Sequence, residues 1–89
     1  MYIEMMQNTR QKKVRWEDVD KECLKNLIDL LGENKDYFSD LMQVYGCRLE
    51  LNLYKPQTEI TKYKYTLINA TKTDIEHIIK ELEVYLNER

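Results

Sequence analysis

The sequence is short of the residues from which most active sites and metal centres are made. Its 89 residues include one histidine, His77, and one serine, Ser39. The two cysteines, Cys23 and Cys47, have no Cys-x-x-Cys motif around them. Their spacing matches no zinc pattern and both fall on apolar stripes, so they read as small core residues in a reducing compartment. Ser39 has no histidine near it in sequence, which leaves a nucleophile reading without support. His77 lies two positions from Ile75 and from Ile79, off the apolar stripe of its segment, where a solvent-facing side chain is expected. Two glycines cannot supply a phosphate-cradling loop. The sequence therefore points to no catalytic residue, no metal ligand and no cofactor, and the protein is expected not to be an enzyme.

Long apolar runs are missing too, and the longest falls far short of a membrane span. The opening MYIEMMQNTR lacks the charged start and apolar centre of a signal peptide. The expectation is a cytoplasmic, intracellular chain with no membrane contact. Hydrophobic residues make up 43% and charged residues 34%, with one proline. Disordered chains are poorer in aromatic and β-branched residues, so this composition describes one ordered domain over 1–89. Seven tyrosines stand against one phenylalanine, which suits half-buried positions with the ring packed and the hydroxyl wet.

Charge is uneven along the chain. Residues 1–16 carry four bases and one acid, and residues 17–40 carry three bases and eight acids. The rest is balanced, and the net charge is −2. Such asymmetry marks partner-facing surfaces, whereas the overall balance argues against a general nucleic-acid binder.

Hydrophobic spacing divides the chain. Residues 1–16 read as an N-terminal strand or a basic arm. Two candidate strands lie there: Tyr2–Met6 with Ile3 and Met5 inward, and Lys13–Trp16 with Val14 and Trp16 inward. From about Asp18 to Leu31, apolar residues recur at three and four positions, the helical spacing. Asp18 and Asp20 suit that helix's positive end, and Gly32 reads as its left-handed stop. A second helix is expected from Lys35 to Tyr45, capped by Asn34 and ended by Gly46. Residues 17–46 would then be an αα-hairpin with a three-residue joint.

Residues 47–68 read as a β-hairpin. Cys47, Leu49, Leu51 and Leu53 alternate with Arg48, Glu50, Asn52 and Tyr54, the period of a strand with one buried face. The second strand, 59–68, sets Thr61, Tyr63, Tyr65 and Leu67 on one face and Ile60, Lys62, Lys64 and Thr66 on the other. Opposed residues share a face, so the leucines must oppose tyrosines. An even loop would set Leu51 against a lysine. An odd loop is required, and without glycine for the usual three-residue form the longer one is favoured, pairing Leu51 with Tyr65. Last, 73–89 reads as a C-terminal helix opened by a Thr73–Glu76 capping box. The fold class is α+β: an αα-hairpin, an antiparallel β-hairpin with a possible extra N-terminal strand, and a C-terminal helix, with the helices on one face of the sheet.

For function, this pattern points to a small non-catalytic protein–protein interaction module: an adaptor, an assembly subunit or an inhibitor of a larger partner. Tyr37, Tyr45, Tyr63, Tyr65 and Tyr85 on inward stripes suggest apolar surface shared with a second copy, so a homo-oligomer is expected. Nucleic acid is the alternative partner. It would contact the N-terminal cluster Arg10, Lys12, Lys13 and Arg15, or the hairpin's outward Arg48, Tyr54, Lys62 and Lys64. A second alternative is an acidic surface imitating nucleic-acid phosphates, formed by Asp18, Glu22, Asp29, Asp36 and Asp40; a solvated helix face is the simpler account of those acids.

Overall fold

A computed structural model describes residues 2–7, 12–38, 48–55 and 57–88, with the backbone alone for Lys12 and Lys13. The chain order is β1 (Tyr2–Gln7), β2 (Lys12–Lys13), α1 (Lys21–Asn34), β3 (Arg48–Tyr54), β4 (Thr61–Ile68) and α2 (Lys72–Asn87). The domain is α+β. Its strands form one antiparallel sheet in the order β2-β1-β4-β3. β1 joins the sheet along the length of β4; of the second expected strand, Lys13–Trp16, only Lys13 pairs, in the two-residue bridge β2 on β1, because Trp16 opens a 3₁₀ turn that leads toward α1.

The hairpin register is the one favoured from the loop composition among those that alternation allows. Leu51 opposes Tyr65, Leu49 opposes Leu67 and Leu53 opposes Tyr63. The odd count arises from a bulge. The chain turns between Lys55 and Ile60, joined by a backbone bond of 2.9 Å. That is an even turn, and an irregularity beside Leu53 and Tyr54 adds the odd residue. Thr61, not Lys62, therefore opposes Tyr54. Gln57 in the turn has a φ of 61°, the left-handed region.

Tyr63, Tyr65 and Leu67 of β4, Leu53 of β3 and Met5 of β1 face the helices and are buried. They meet Cys23, Leu24, Leu27 and Leu31 of α1 and Ile75, Ile78 and Leu82 of α2 in one core. Trp16 packs on this core with its ring centroid 6.0 Å from that of Tyr65 and tilted by 46°. It holds the chain where a short 3₁₀ turn, Trp16–Asp18, leads toward α1.

Three boundaries differ from expectation. Helix α1 starts after Asp20 and runs through Gly32 to Asn34. Gly32 is an interior helical residue here, because Leu27 and Leu31 bury the stripe on which the last turn is built. Asn34 is not an N-cap; its side-chain amide donates to the Leu30 carbonyl at 2.7 Å. Lys35–Tyr37 form a 3₁₀ turn and Phe38 is extended, so the expected three-residue joint at 32–34 is the end of α1. The remainder of the expected second helix, with Asp40, Tyr45 and Cys47, lies outside the described residues. Tyr37, expected inward, is 84% exposed because this turn carries it off the helical stripe. The capping box of α2 is Thr71–Asp74 instead of Thr73–Glu76. Asp74 N–H donates to Thr71 Oγ1 at 3.1 Å, and Thr71 N–H donates to Asp74 Oδ2 at 2.9 Å.

Candidate interaction surface

Both helices lie on one side of the sheet, so among the described residues its other side is uncovered. Register places three rows there. Tyr2, Ile68 and Arg48 form one, Glu4, Thr66 and Glu50 the next, and Met6, Lys64 and Asn52 the third. Tyr54 extends this face past Asn52. The tyrosines at its opposite corners, Tyr2 and Tyr54, are 46% and 45% exposed. Thr66, on the strand between two others, is buried.

Polar groups on this face are already matched to one another. Arg48 donates to Glu50 with its guanidinium 2.6 Å from the carboxylate, and Lys64 lies 3.9 Å from the same group. The Arg48 hydrogen bond, aided by Lys64, holds the Glu50 carboxyl below its usual range. Tyr2 donates to Glu4 at 2.5 Å, which raises the phenol above its ordinary value.

Of the four hairpin residues singled out from sequence, three share this face: Arg48, Tyr54 and Lys64. Lys62 does not. The bulge turns it to the helix side, where it pairs with Asp20 at the start of α1. That hydrogen bond raises the lysine above its ordinary value. Cys23 is buried beside this pair, and its thiol donates to the Tyr54 carbonyl at 3.5 Å. Burial, with the Asp20 charge adding, pushes that thiol up, the opposite of an activated nucleophile.

In the N-terminal cluster, Arg10 lies outside the described residues, and Lys12 and Lys13 form β2. Arg15 is exposed and lies 3.6 Å from Asp18 and 3.9 Å from Glu17. Among the acids, Asp18 has that arginine and Asp36 pairs with Lys72 at 3.2 Å. Glu22 and Asp29 are exposed on α1. The fourteen residues of that helix span roughly 21 Å, so Asp18 and Asp36 stand at opposite ends and form no compact patch. His77 is exposed on α2.

A hollow of about 380 Å³ between α1 and α2 is bordered by Lys25, Ile28, Asp29, Glu83, Leu86 and Asn87. Among the described residues no group of three or more His, Cys, Asp or Glu side chains could hold a metal ion. No helix among them is long and apolar enough to cross a membrane.

Residues that sequence reasoning missed are Tyr2, Met6 and Ile68, which complete the face. The alternation of Tyr2–Met6 carried the signal, but only the pairing of β1 with β4 sets these side chains beside Arg48 and Lys64. Fold and face together define a small α+β domain with, among the described residues, one open sheet surface. No protein-family model, curated protein or solved structure matches the chain.

Proposed function

We propose that this protein is a small non-catalytic interaction module whose sheet face opposite α1 and α2 binds another protein, in the manner of an adaptor, an assembly subunit or an inhibitor. The observation that carries this reading is the face itself. Two half-exposed tyrosines flank a strip in which Arg48 and Lys64 already share the Glu50 carboxylate. Tyrosine and arginine dominate the energetics of protein interfaces, and tyrosine offers a large rigid surface at little entropic cost. A nucleic-acid surface works differently: its cations must be free to replace the counterions of phosphates. Here the cations of the face are neutralised from within.

The test is capture of a binding protein by the wild type and by Tyr2→Ala and Tyr54→Ser variants of unchanged melting temperature. Loss of one and the same captured protein in both variants is expected; its retention in both overturns the reading. In parallel, a labelled single-stranded RNA is titrated by fluorescence anisotropy across salt concentrations. Steeply salt-dependent binding that Lys12→Glu/Lys13→Glu abolishes would replace this reading with the nucleic-acid one.

A further inference from the structure

The two edges of the sheet are unlike. β2 closes one side with two residues, Lys12 and Lys13. At the other, β3 runs seven residues, RLELNLY, without lysine or proline. Lysine, proline and brevity are common devices that blunt an edge. Among the described residues no strand pairs with the outer side of β3.

Alternation fixes which backbone groups face outward. Val14 N–H donates to the Met5 carbonyl at 2.9 Å, so Met5 points its backbone toward β2 and away from β4. Met5 opposes Tyr65, which makes that a non-bonded pair, and Tyr65 turns its own groups to β3. In β3, therefore, Leu49, Leu51 and Leu53 bond to β4. Arg48, Glu50 and Asn52 present their N–H and C=O groups outward. The Tyr54 carbonyl faces the same way and takes the Cys23 thiol.

Resting on the reading of the protein as an interaction module, we infer that the occupant of this edge is a second copy of the chain. The two β3 strands pair antiparallel about a two-fold axis at Leu51, and the two four-stranded sheets become one continuous sheet.

Strand length and side-chain complementarity support this partner and this register: Leu51 is the midpoint of Arg48–Tyr54, so all seven residues pair, whereas a two-fold axis at Leu49 would oppose Arg48 and Glu50 but pair only Arg48–Glu50 of the strand. About Leu51, Arg48 opposes Tyr54 of the second copy, a cation beside an aromatic ring. Glu50 opposes Asn52, Leu49 opposes Leu53, and Leu51 meets its own copy. Both Glu50–Asn52 pairs use outward backbone groups, and each exchanges two hydrogen bonds. Centring on Glu50 would set two like charges opposite one another. Centring on Asn52 would leave Arg48 without a counterpart. A shift of one residue would put the leucines on the wrong face. Leu49 and Leu51 also remain half-buried although they face the helices, and this pairing covers their outer flanks.

Sedimentation equilibrium at high micromolar concentration tests the proposal. Twice the chain mass of 10.9 kDa is expected. Asn52→Pro removes an outward N–H and leaves the bonds to β4 in place, so it is expected to sediment as a monomer with an unchanged circular dichroism spectrum. A Leu51→Cys variant is expected to oxidise to a dimer whose 51–51 bond is found by peptide mapping, since opposed β-carbons in such a pair are within disulfide reach. Leu49→Cys is expected to form no 49–49 bond. A wild-type monomer overturns the edge pairing, as does a dimer that survives Asn52→Pro. A monomer that still captures its binding protein through Tyr2 and Tyr54 leaves the interaction reading standing.

Discussion

Lys62 and Asp20, separated by 42 residues, form an ion pair that ties the β4 bulge to the start of α1. The lysine reaches the carboxylate only because the extra residue turns it from the open face to the helix side. Neither partner is fully buried: their side chains are 29% and 40% exposed. Solvent screens such a pair, and its net contribution is expected to be about 0.5–1 kcal/mol. A double-mutant cycle with Lys62→Met and Asp20→Asn, read from urea midpoints, should return a coupling of that size that shrinks at high salt. Zero coupling at low salt would show that the contact holds nothing.

Gly32 lies inside α1, and a β-carbon built there meets nothing within 4 Å. Alanine in its place removes backbone freedom from the unfolded chain without a clash. Gly32→Ala should add about 0.5–1 kcal/mol. For a domain this size that is a rise in melting temperature of roughly 4–8 °C per kcal/mol. A lower melting temperature would mean that the last turn of α1 is not helical.

Tyr65 is fully buried, and among the described residues its hydroxyl has no hydrogen-bond partner. Tyr65→Phe deletes a desolvated polar group and no bond, so it should raise stability by about 1 kcal/mol. Alkaline pH probes the same site. Burial raises the Cys23 thiol above its ordinary 9.0 and the Tyr63 and Tyr65 phenols above 10.0. Native chains then hold protons that unfolded chains release, so stability falls as pH rises. These contributions are intact below the ordinary values and are lost as pH climbs through the raised ones. Lys62, also raised, adds to the loss with the same sign. Urea midpoints should therefore decline from about pH 9, and less steeply above pH 10 in Tyr65→Phe.

Two threonines near the start of α2 have an acid three residues on, and only Thr71 caps the helix. Thr71→Ala should cost about 1 kcal/mol, whereas Thr73→Ala, at an exposed first-turn position, should stay within about 0.5 kcal/mol. Equal effects in thermal melts would remove the basis for placing the cap at Thr71.

Much of the sheet was legible because period-two alternation sets the leucines of β3 opposite tyrosines; it allows Leu51 to face Tyr63 or Tyr65, and the length of the connection decides for Tyr65. The bulge was not legible. Parity requires an odd residue somewhere between the strands and does not say whether it sits in the turn or the ladder. That ambiguity misplaced Lys62 and, with it, one quarter of the expected basic face. At Gly32 a local stop signal lost to tertiary packing of Leu27 and Leu31. At α2 the sequence offered overlapping capping boxes, and hydrogen-bond geometry chose the earlier one. The open face stayed hidden because it needs a third strand. Tyr2 and Ile68 are far apart in sequence and become neighbours only when β1 lies along β4.

That pairing also sets the order in which the domain can form. β4 lies between β1 and β3, and Tyr2 meets Ile68. During synthesis β1 must wait for more than fifty residues before its neighbour begins. Closing so long a loop is entropically unfavourable until β4 offers contacts in return. The β3–β4 hairpin, local in sequence, is the natural nucleus. β1, with β2 beside it, is then expected to add to it late.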